Sequence, residues 1–188
     1  MARVLVLAGT LVLVGAGSVV LADGQDQHVP EPAGFWSGPF MGPVPATIAG
    51  GTVLDTAALR TLVERGGVLL VDTGPAPRRP PTLGPNQPWL PLAHADIPGS
   101  VWLPDLGLPV LPEPANAWFR QRLEQLTAGD PARTVVTYCH PSCWASWNAA
   151  KRLIGYGYRD VRWYPGGIEA WQEAGLPTAS AKPETPPE

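Results

Sequence analysis

The chain has 188 residues, the size of one domain with tails, and such a length can bury a core without disulfide staples. A formal net charge of −3 argues against nucleic acid as a partner, because phosphate binding needs a basic surface. The 24 prolines and 21 glycines predict long ordered loops on a compact scaffold.

The N-terminus has the pattern of a secretory signal peptide. Arg3 precedes an uncharged apolar run from Val4 to Val20, and Val20-Leu21-Ala22 offers a cleavage site. We therefore expect residues 1–22 to be removed and the protein to be exported to the periplasm, with no stable membrane span afterwards. The alternative is an uncleaved anchor, because the run is near the lower length limit for spanning. This segment has no cysteine, which excludes a lipoprotein anchor.

The segment 23–52 is rich in Pro and Gly but also carries Phe35, Trp36 and Phe40. This composition indicates an ordered lead-in that packs its aromatic side chains onto the domain rather than a disordered linker. We place the domain at 53–178.

Helical and strand patterns alternate along this domain. Helices are expected after Asp55 as N-cap and over 116–127, 144–154 and 168–174; strands are expected over 68–71, 101–104, 134–138 and 160–164. Alternation of this kind predicts an α/β fold, a parallel sheet with helices on both faces. The Pro- and Glu-rich segment 179–188 is expected to be a flexible tail.

The Pro-rich segment 73–96 is predicted to be a long loop, and loops of this length inside compact domains are usually functional. Asp72 ends the strand before it, and His94 lies within it. Asp72 could orient the site or cap the strand. His94 could approach the site or lie on the surface.

Cys139 and Cys143 are the only cysteines of the chain, and they are too close in sequence to staple a fold. Cys139 directly follows a predicted strand and precedes a helix, the usual place of sites in α/β sheets. A helix N-terminus stabilises a thiolate and can hold an anion. We therefore predict Cys139 and Cys143 as catalytic residues. The loop that would form the anion cradle consists of His140, Pro141, Ser142, Trp144 and Ala145.

Four segments together resemble the rhodanese family in order and spacing. They are Leu70 to Thr73, Ile97 to Val101, Val135 to Cys139 with the loop that follows, and Gly166 to Trp171 with Ala174 to Pro177. The resemblance implies a rhodanese-like fold and a loop cysteine that carries sulfur as a persulfide. By position that cysteine is Cys139.

The loop also departs from this family. Active rhodaneses often have an arginine at its end, which helps to hold thiosulfate, and Trp144 stands there instead. Pro141 removes a backbone donor from the anion cradle. Both differences weaken the case for thiosulfate binding.

The residues that differ from the rhodanese pattern resemble those of a narrower, exported group. This group is the PQQ-dependent catabolism-associated family, named for a CXXCW motif. The pair here reads Cys139-x-x-x-Cys143-Trp144, followed by Ser146 to Arg152 and preceded by the lead-in Pro43 to Thr47. This resemblance implies a periplasmic accessory role beside quinoprotein alcohol dehydrogenases. It does not imply that this chain binds PQQ, and no cofactor is expected beyond persulfide sulfur on Cys139.

The residues leave four functions open. The first is sulfur transfer through Cys139, with a small sulfur donor and acceptor as partners. The second is thiol–disulfide exchange, with Cys139 attacking and Cys143 resolving. The third is a non-catalytic module that binds a periplasmic quinoprotein or cytochrome system. The fourth is Cu(I) binding by the two cysteines with His140 or His94, although no metal site is assigned.

The remaining polar and aromatic residues have structural interpretations. Arg152 and Arg162 are expected to form surface ion pairs. The aromatic residues are expected to pack the helix on the sheet or to lie in the core or at its rim, and they are Tyr138, Trp144, Trp147, Trp163, Tyr164 and Trp171.

Overall fold

The computed structural model describes residues 29–187, so the signal peptide expected at 1–22 lies outside the described residues. The strands are Thr52–Val53 (β1), Leu69–Asp72 (β2), His94–Asp96 (β3), Val101–Trp102 (β4), Val135–Tyr138 (β5), Val161–Tyr164 (β6) and Ala179–Ala181 (β7). The helices are Thr56–Arg65 (α1), Glu113–Thr127 (α2), Trp144–Gly155 (α3) and Gly167–Glu173 (α4). Within 29–187, no helix is both long and apolar enough to cross a membrane.

Five strands form a parallel sheet in the order β1-β6-β5-β2-β4. Successive side chains of a strand point to opposite faces, so a strand buried on both faces is apolar throughout. Val71 and Val135 accordingly pack with α2 and α3, whereas Leu70 and Val136 pack with α1 and α4. The predicted α/β fold, with a mostly parallel sheet and helices on both faces, is confirmed.

The ends of the first two helices follow from local sequence. Asp55 caps α1 by accepting a hydrogen bond from the Ala58 amide at 2.8 Å, and Gly66 ends the helix at a φ of 71°. The helix α2 begins at Glu113, three residues before the predicted start, because proline is tolerated in a first turn. Helix α2 ends at Thr127, and the Gly129 amide after it donates a hydrogen bond to the Glu124 carbonyl.

A second, two-stranded sheet corrects two expectations. Strand β3 lies at the end of the predicted loop 73–96 and pairs antiparallel with β7, which lies in the predicted flexible tail. Glu184 then forms an ion pair with Arg122, and its amide donates to the Trp102 carbonyl. The prediction of a flexible tail is therefore wrong for 179–184, because ladder hydrogen bonds and an ion pair attach this segment to the domain.

The interpretation of Arg152 as a surface residue is also wrong. Arg152 is buried and donates hydrogen bonds to the carbonyl groups of Leu106 and Leu108. Arg162, in contrast, pairs with Asp160 at the surface, as expected. The predicted strand 101–104 ends at Trp102. The Leu103 amide donates one further hydrogen bond to β2, and the chain then leaves the sheet.

The lead-in packs on α3 through polar and aromatic contacts. The backbone of Trp36 donates to and accepts from the Asn148 side chain, at 2.8 and 2.9 Å. The indole of Trp36 stacks on that of Trp144, and the Trp147 indole donates to the Thr47 carbonyl. This segment therefore covers the start of α3.

Candidate functional site

Cys139 follows β5 directly, at the carboxyl edge of the parallel sheet. Its carbonyl accepts a hydrogen bond from Ile168 at 2.9 Å, and the Tyr138 carbonyl accepts one from the Thr73 amide at 2.9 Å. The segments that follow β5, β2 and β6 therefore meet at Cys139. Sites of α/β sheets form at this edge, because the loops open there.

Cys139 and Cys143 form a disulfide bond with a Cα separation of 6.5 Å. This separation lies within the range of ordinary disulfides. Cys143 is the N-cap residue of α3, so its sulfur is the one beside the helix N-terminus. Both residues are buried, at 1% and 3% exposure. The two predicted catalytic residues thus form one unit at the β5–α3 junction.

The lead-in contributes backbone contacts to this loop. The Ser142 carbonyl accepts a hydrogen bond from Gly42, and the Trp144 amide donates to the Phe40 carbonyl at 2.8 Å. The amide of Trp144 is the first helical N–H of α3, so it is not free to hold an anion. Pro141 has no amide hydrogen. Two backbone positions of the expected anion cradle are therefore unavailable to a ligand.

Cys143 lines a cavity of about 150 Å³ beside the disulfide. Its walls are mainly apolar and include Phe40, Met41 and Leu108, with Asp105 and His140 among the polar members. A cavity of this size and character suits a small molecule of low charge better than a strongly hydrated dianion.

His140 pairs with a carboxylate that the sequence analysis missed. Its Nδ1 lies 2.6 Å from Oε1 of Glu169, on α4. A carboxylate at Nδ1 favours a proton on that nitrogen and leaves Nε2 as the acceptor or base. Only the predicted topology could have indicated this pair. Strands β5 and β6 were expected to be parallel, so the segments that follow them, with His140 and Glu169, were expected at the same edge of the sheet.

Asp72, His94 and Asp96 form a second polar cluster. The Nε2 atom of His94 lies 2.7 Å from Oδ2 of Asp72 and 3.0 Å from Oδ1 of Asp96. The His94 ring stacks on Trp102 with centroids 3.7 Å apart. The side chain of His94 is 15% exposed, so the alternative of a surface histidine is wrong. Asp96 was missed because an aspartate before a predicted turn resembles a capping residue.

Burial and mutual charges shift the pKa values in this cluster. Burial lowers the pKa of His94, but hydrogen bonds and charges from Asp72 and Asp96 outweigh it and raise the pKa overall. Burial raises the pKa of Asp96, and the nearby Asp72 adds to this effect against the opposing influence of His94. The imidazolium is therefore the favoured form of His94 in this environment.

The cluster and the cysteine loop approach each other at Gly74. A Cβ atom at Gly74 would lie 3.1 Å from Oδ1 of Asp72, 3.5 Å from Cε1 of His94 and 3.7 Å from Nε2 of His140. Asp72 also accepts a hydrogen bond from the Gly74 amide at 2.6 Å. Asp72 and His94, which the sequence offered as possible orienting residues, thus lie near His140 at the Cβ position of Gly74.

The structure does not bring together the ligands of the Cu(I) alternative. The two cysteine sulfurs are bonded to each other, and His94 faces carboxylates. Among the residues that the structure describes, the group able to hold a metal ion is Asp72, His94 and Asp96, which contains no sulfur.

The rhodanese-like domain family matches residues 55–174, and the chain belongs to this family. No curated protein matches the chain at a significant level. The solved structures that it resembles include a thiosulfate sulfurtransferase from Pseudomonas aeruginosa (18% identity, TM-score 0.45), with 71% of this chain and 21% of that chain covered.

Two smaller proteins are also similar. A polysulfide-sulfur transferase homodimer from Wolinella succinogenes is 21% identical with a TM-score of 0.44, and 70% of this chain and 80% of that chain are covered. A single-domain sulfurtransferase from Saccharomyces cerevisiae is 20% identical with a TM-score of 0.39, over 66% and 91% of the chains. The present chain spans about a fifth of the Pseudomonas protein.

Proposed function

We propose that this protein is a periplasmic sulfurtransferase-type protein in which Cys139 carries sulfur as a persulfide. The observation that supports this function is the position of Cys139, which follows β5 and is bonded to the N-cap cysteine of α3. Membership of the rhodanese-like family adds to it.

The transfer cycle needs only the thiolate of Cys139. This thiolate attacks the sulfane sulfur of a small donor, a new S–S bond forms, and the remainder of the donor leaves as its anion with the bonding electron pair. A nucleophilic acceptor then attacks the outer sulfur, and the Cys139 thiolate is released. Each step is a two-electron displacement at sulfur, so no external oxidant or reductant is consumed.

Cys143 gives the disulfide a role in the same chemistry. When hydrogen sulfide ion attacks the Cys139 sulfur, the Cys139–Cys143 bond breaks, a Cys139 persulfide forms and the Cys143 thiolate leaves. The helix N-terminus at Cys143 stabilises this leaving group. In the reverse direction, Cys143 expels hydrogen sulfide and restores the disulfide. When an acceptor takes the outer sulfur instead, both cysteines are left as thiols, so the disulfide is the two-electron oxidant of this route and a disulfide oxidant must re-form it before sulfide reacts again.

The surroundings of the pair favour a donor of low charge. The Trp144 amide is used by the Phe40 carbonyl, and Trp144 itself is buried against Trp36. Position 144 supplies neither the arginine of active rhodaneses nor a free first-turn amide to balance a thiosulfate dianion. Sulfide or a small persulfide therefore fits the apolar cavity beside Cys143 better.

Thiol–disulfide exchange is the second candidate, and the 6.5 Å Cα separation of a formed disulfide supports it. In that function a dithiol substrate reduces the pair and is itself oxidised, and a disulfide oxidant of the periplasm regenerates the bond. No sulfur atom is added to the protein in this function, so the intact mass of the protein distinguishes it from sulfur transfer.

The experiment is intact mass of the oxidised protein after exposure to sulfide, followed by addition of cyanide as acceptor. Sulfur transfer predicts a persulfide on Cys139, thiocyanate release and loss of both in Cys139→Ser. Cys143→Ser has no disulfide to open, so it should accept sulfur from a persulfide donor but not from sulfide. Reduction and reoxidation without a persulfide in any form would favour the exchange function instead.

The compartment and the physiological partner belong to the same proposal. The signal-peptide pattern supports export, and the resemblance to the PQQ-associated group supports an accessory role for a quinoprotein dehydrogenase or its cytochrome system. Cell fractionation and growth of a deletion strain on alcohols test these points. Full complementation by a folded Cys139→Ser protein would instead support the non-catalytic binding module.

A further inference from the structure

Asp72, His94 and Asp96 place one potential ligand atom each within 4.8 Å of the others. Asp72 ends a strand of the main sheet, whereas His94 and Asp96 lie on the short second sheet. We propose that these three side chains form a binding site for a divalent transition-metal ion of the Zn²⁺ type, separate from the cysteine pair.

The state of Asp96 points to a ligand. Its side chain is 3% exposed, yet its Oδ2 has no hydrogen-bond partner, and the one donor near its Oδ1 is the His94 nitrogen that Asp72 also engages. Its Oδ1 faces Nε2 of His94 at 3.0 Å, whereas the same nitrogen is hydrogen-bonded to Asp72 at 2.7 Å. Buried polar atoms without partners are rare and costly. A metal ion coordinated by Asp96 would remove this deficit.

The donor set and its charge fit such an ion. Two carboxylate oxygens and one imidazole nitrogen are ligands that Zn²⁺ and related ions accept. The two carboxylate groups together match the charge of a divalent ion.

The geometry needs little adjustment. Ligand atoms around a tetrahedral zinc with bonds of about 2.0–2.2 Å lie roughly 3.3–3.5 Å apart, so the two carboxylate oxygens must move away from Nε2 of His94 by less than about 1 Å. The stack on Trp102 holds the ring of His94 in its present plane. His94 and Trp102 also line a cavity of about 280 Å³ together with Trp89, which offers an entry path and room for a water ligand.

Such an ion would join two parts of the fold. It would link the carboxyl end of β2 to β3, and through the β3–β7 pairing to the segment that carries Glu184. The expected effect of metal is therefore a rise in thermal stability, because an ion that binds only the folded chain shifts the unfolding equilibrium.

The test uses the full secreted chain with its disulfide intact, after treatment with a chelator. Zn²⁺ titrated by calorimetry is expected to bind at one ion per chain and to raise the melting temperature. Co²⁺ is expected to give visible d–d bands without a thiolate charge-transfer band, because the site contains no sulfur. A thiolate band, or no binding at all, would overturn the proposal.

Asp96→Asn is the decisive variant, because the amide keeps the shape and removes the ligand charge. Loss of a group that only hydrogen-bonds a metal ligand lowers metal affinity about 10–100-fold. Asp96 is itself a proposed ligand, so its loss should lower Zn²⁺ affinity at least about 100-fold. The metal-free melting temperature should not fall, since the new amide can donate to Asp72. His94→Gln provides a second variant if Asp96→Asn does not fold.

Two controls complete the design. Asp130→Asn removes a carboxylate that caps the Ala132 amide at the surface, and Zn²⁺ affinity should stay unchanged. His140→Asn removes the nearby imidazole of the cysteine loop, which is not one of the proposed ligands, and should also leave it unchanged. Full Zn²⁺ affinity in Asp96→Asn, or loss of affinity only in His140→Asn, would contradict the proposed site. Sulfur transfer is measured separately, so either proposal can fail alone.

Discussion

The indole rings of Trp36 and Trp144 lie parallel, with centroids 4.4 Å apart and planes 13° from each other. One ring belongs to the lead-in and the other to the first turn of α3. The Trp144 amide next to this stack donates to the Phe40 carbonyl. The contact therefore fixes the lead-in over the cysteine loop.

Trp36→Ala is expected to destabilise the fold and to expose the disulfide. Trp36 is half-buried, so the loss should be about 2–3 kcal/mol, below the range for a fully buried tryptophan. Reduction of the disulfide by a water-soluble phosphine should also become faster. Leu90→Ala is the control, because Leu90 is 91% exposed. Equal unfolding midpoints for the two variants in urea would show that the stack contributes nothing.

Gly167→Ala is expected to distort the cysteine loop. Gly167 has a φ of 64°, and a Cβ atom there would lie 2.6 Å from the His140 carbonyl carbon. Left-handed strain and overpacking together should cost about 3 kcal/mol. The cyanide-dependent transfer rate should fall with stability, because the Ile168 amide that contacts the Cys139 carbonyl must move.

Gly155→Ala is the matched control for this glycine. Gly155 ends α3, no atom lies within 4 Å of its Cβ position, and its φ is ordinary. Alanine there should be neutral or stabilising by up to about 1 kcal/mol. If both alanine variants unfold at the same denaturant concentration, the close approach of Gly167 to the loop is not energetically important.

Arg152→Met is expected to cost about 3 kcal/mol. Arg152 donates to the carbonyl groups of Leu106 and Leu108, and buried acceptors left without donors are costly. Arg60→Met is the control, since it removes an exposed pair with Glu64, worth no more than about 0.5 kcal/mol. Urea unfolding of both variants measures the difference, and a similar small loss in each would contradict the role assigned to Arg152.

Deletion of residues 179–188 is expected to loosen β3. It removes β7 and the pair between Arg122 and Glu184, a loss of about 1–2 kcal/mol. Hydrogen exchange should accelerate at Ala95 but not at Val136, which lies in the middle of the main sheet. Glu184→Gln separates the two effects, because it weakens the ion pair and keeps the strand.

Four strands of the main sheet were predictable because they are short apolar runs between helical patterns, whereas β1 was missed because Thr52 and Val53 are exposed and form no apolar run. Val135 and Val136 are both fully buried, on opposite faces, so the run needs no alternation of polar residues. The place of Cys139 followed from the same logic. A parallel sheet brings the carboxyl ends of its strands to one edge.

The polar partners at the site were not predictable from local sequence. Glu169 meets His140 only because α4 starts beside the β5–α3 loop, and Asp96 meets Asp72 across a 24-residue separation. The β3–β7 pair was missed for another reason. Ala179 and Ser180 are exposed, so the strand has no hydrophobic pattern to reveal it.

The cover formed by the lead-in also sets an order of events during maturation. The hydrogen bonds between Trp36 and Asn148 join residues 112 positions apart, and contacts of such long range form late in folding. Cys139 and Cys143 are only four residues apart, so they can meet before the cover closes. The disulfide is therefore expected to form before the lead-in closes over it, and in the folded protein Cys143 borders the cavity that Phe40 and Met41 of the lead-in also line.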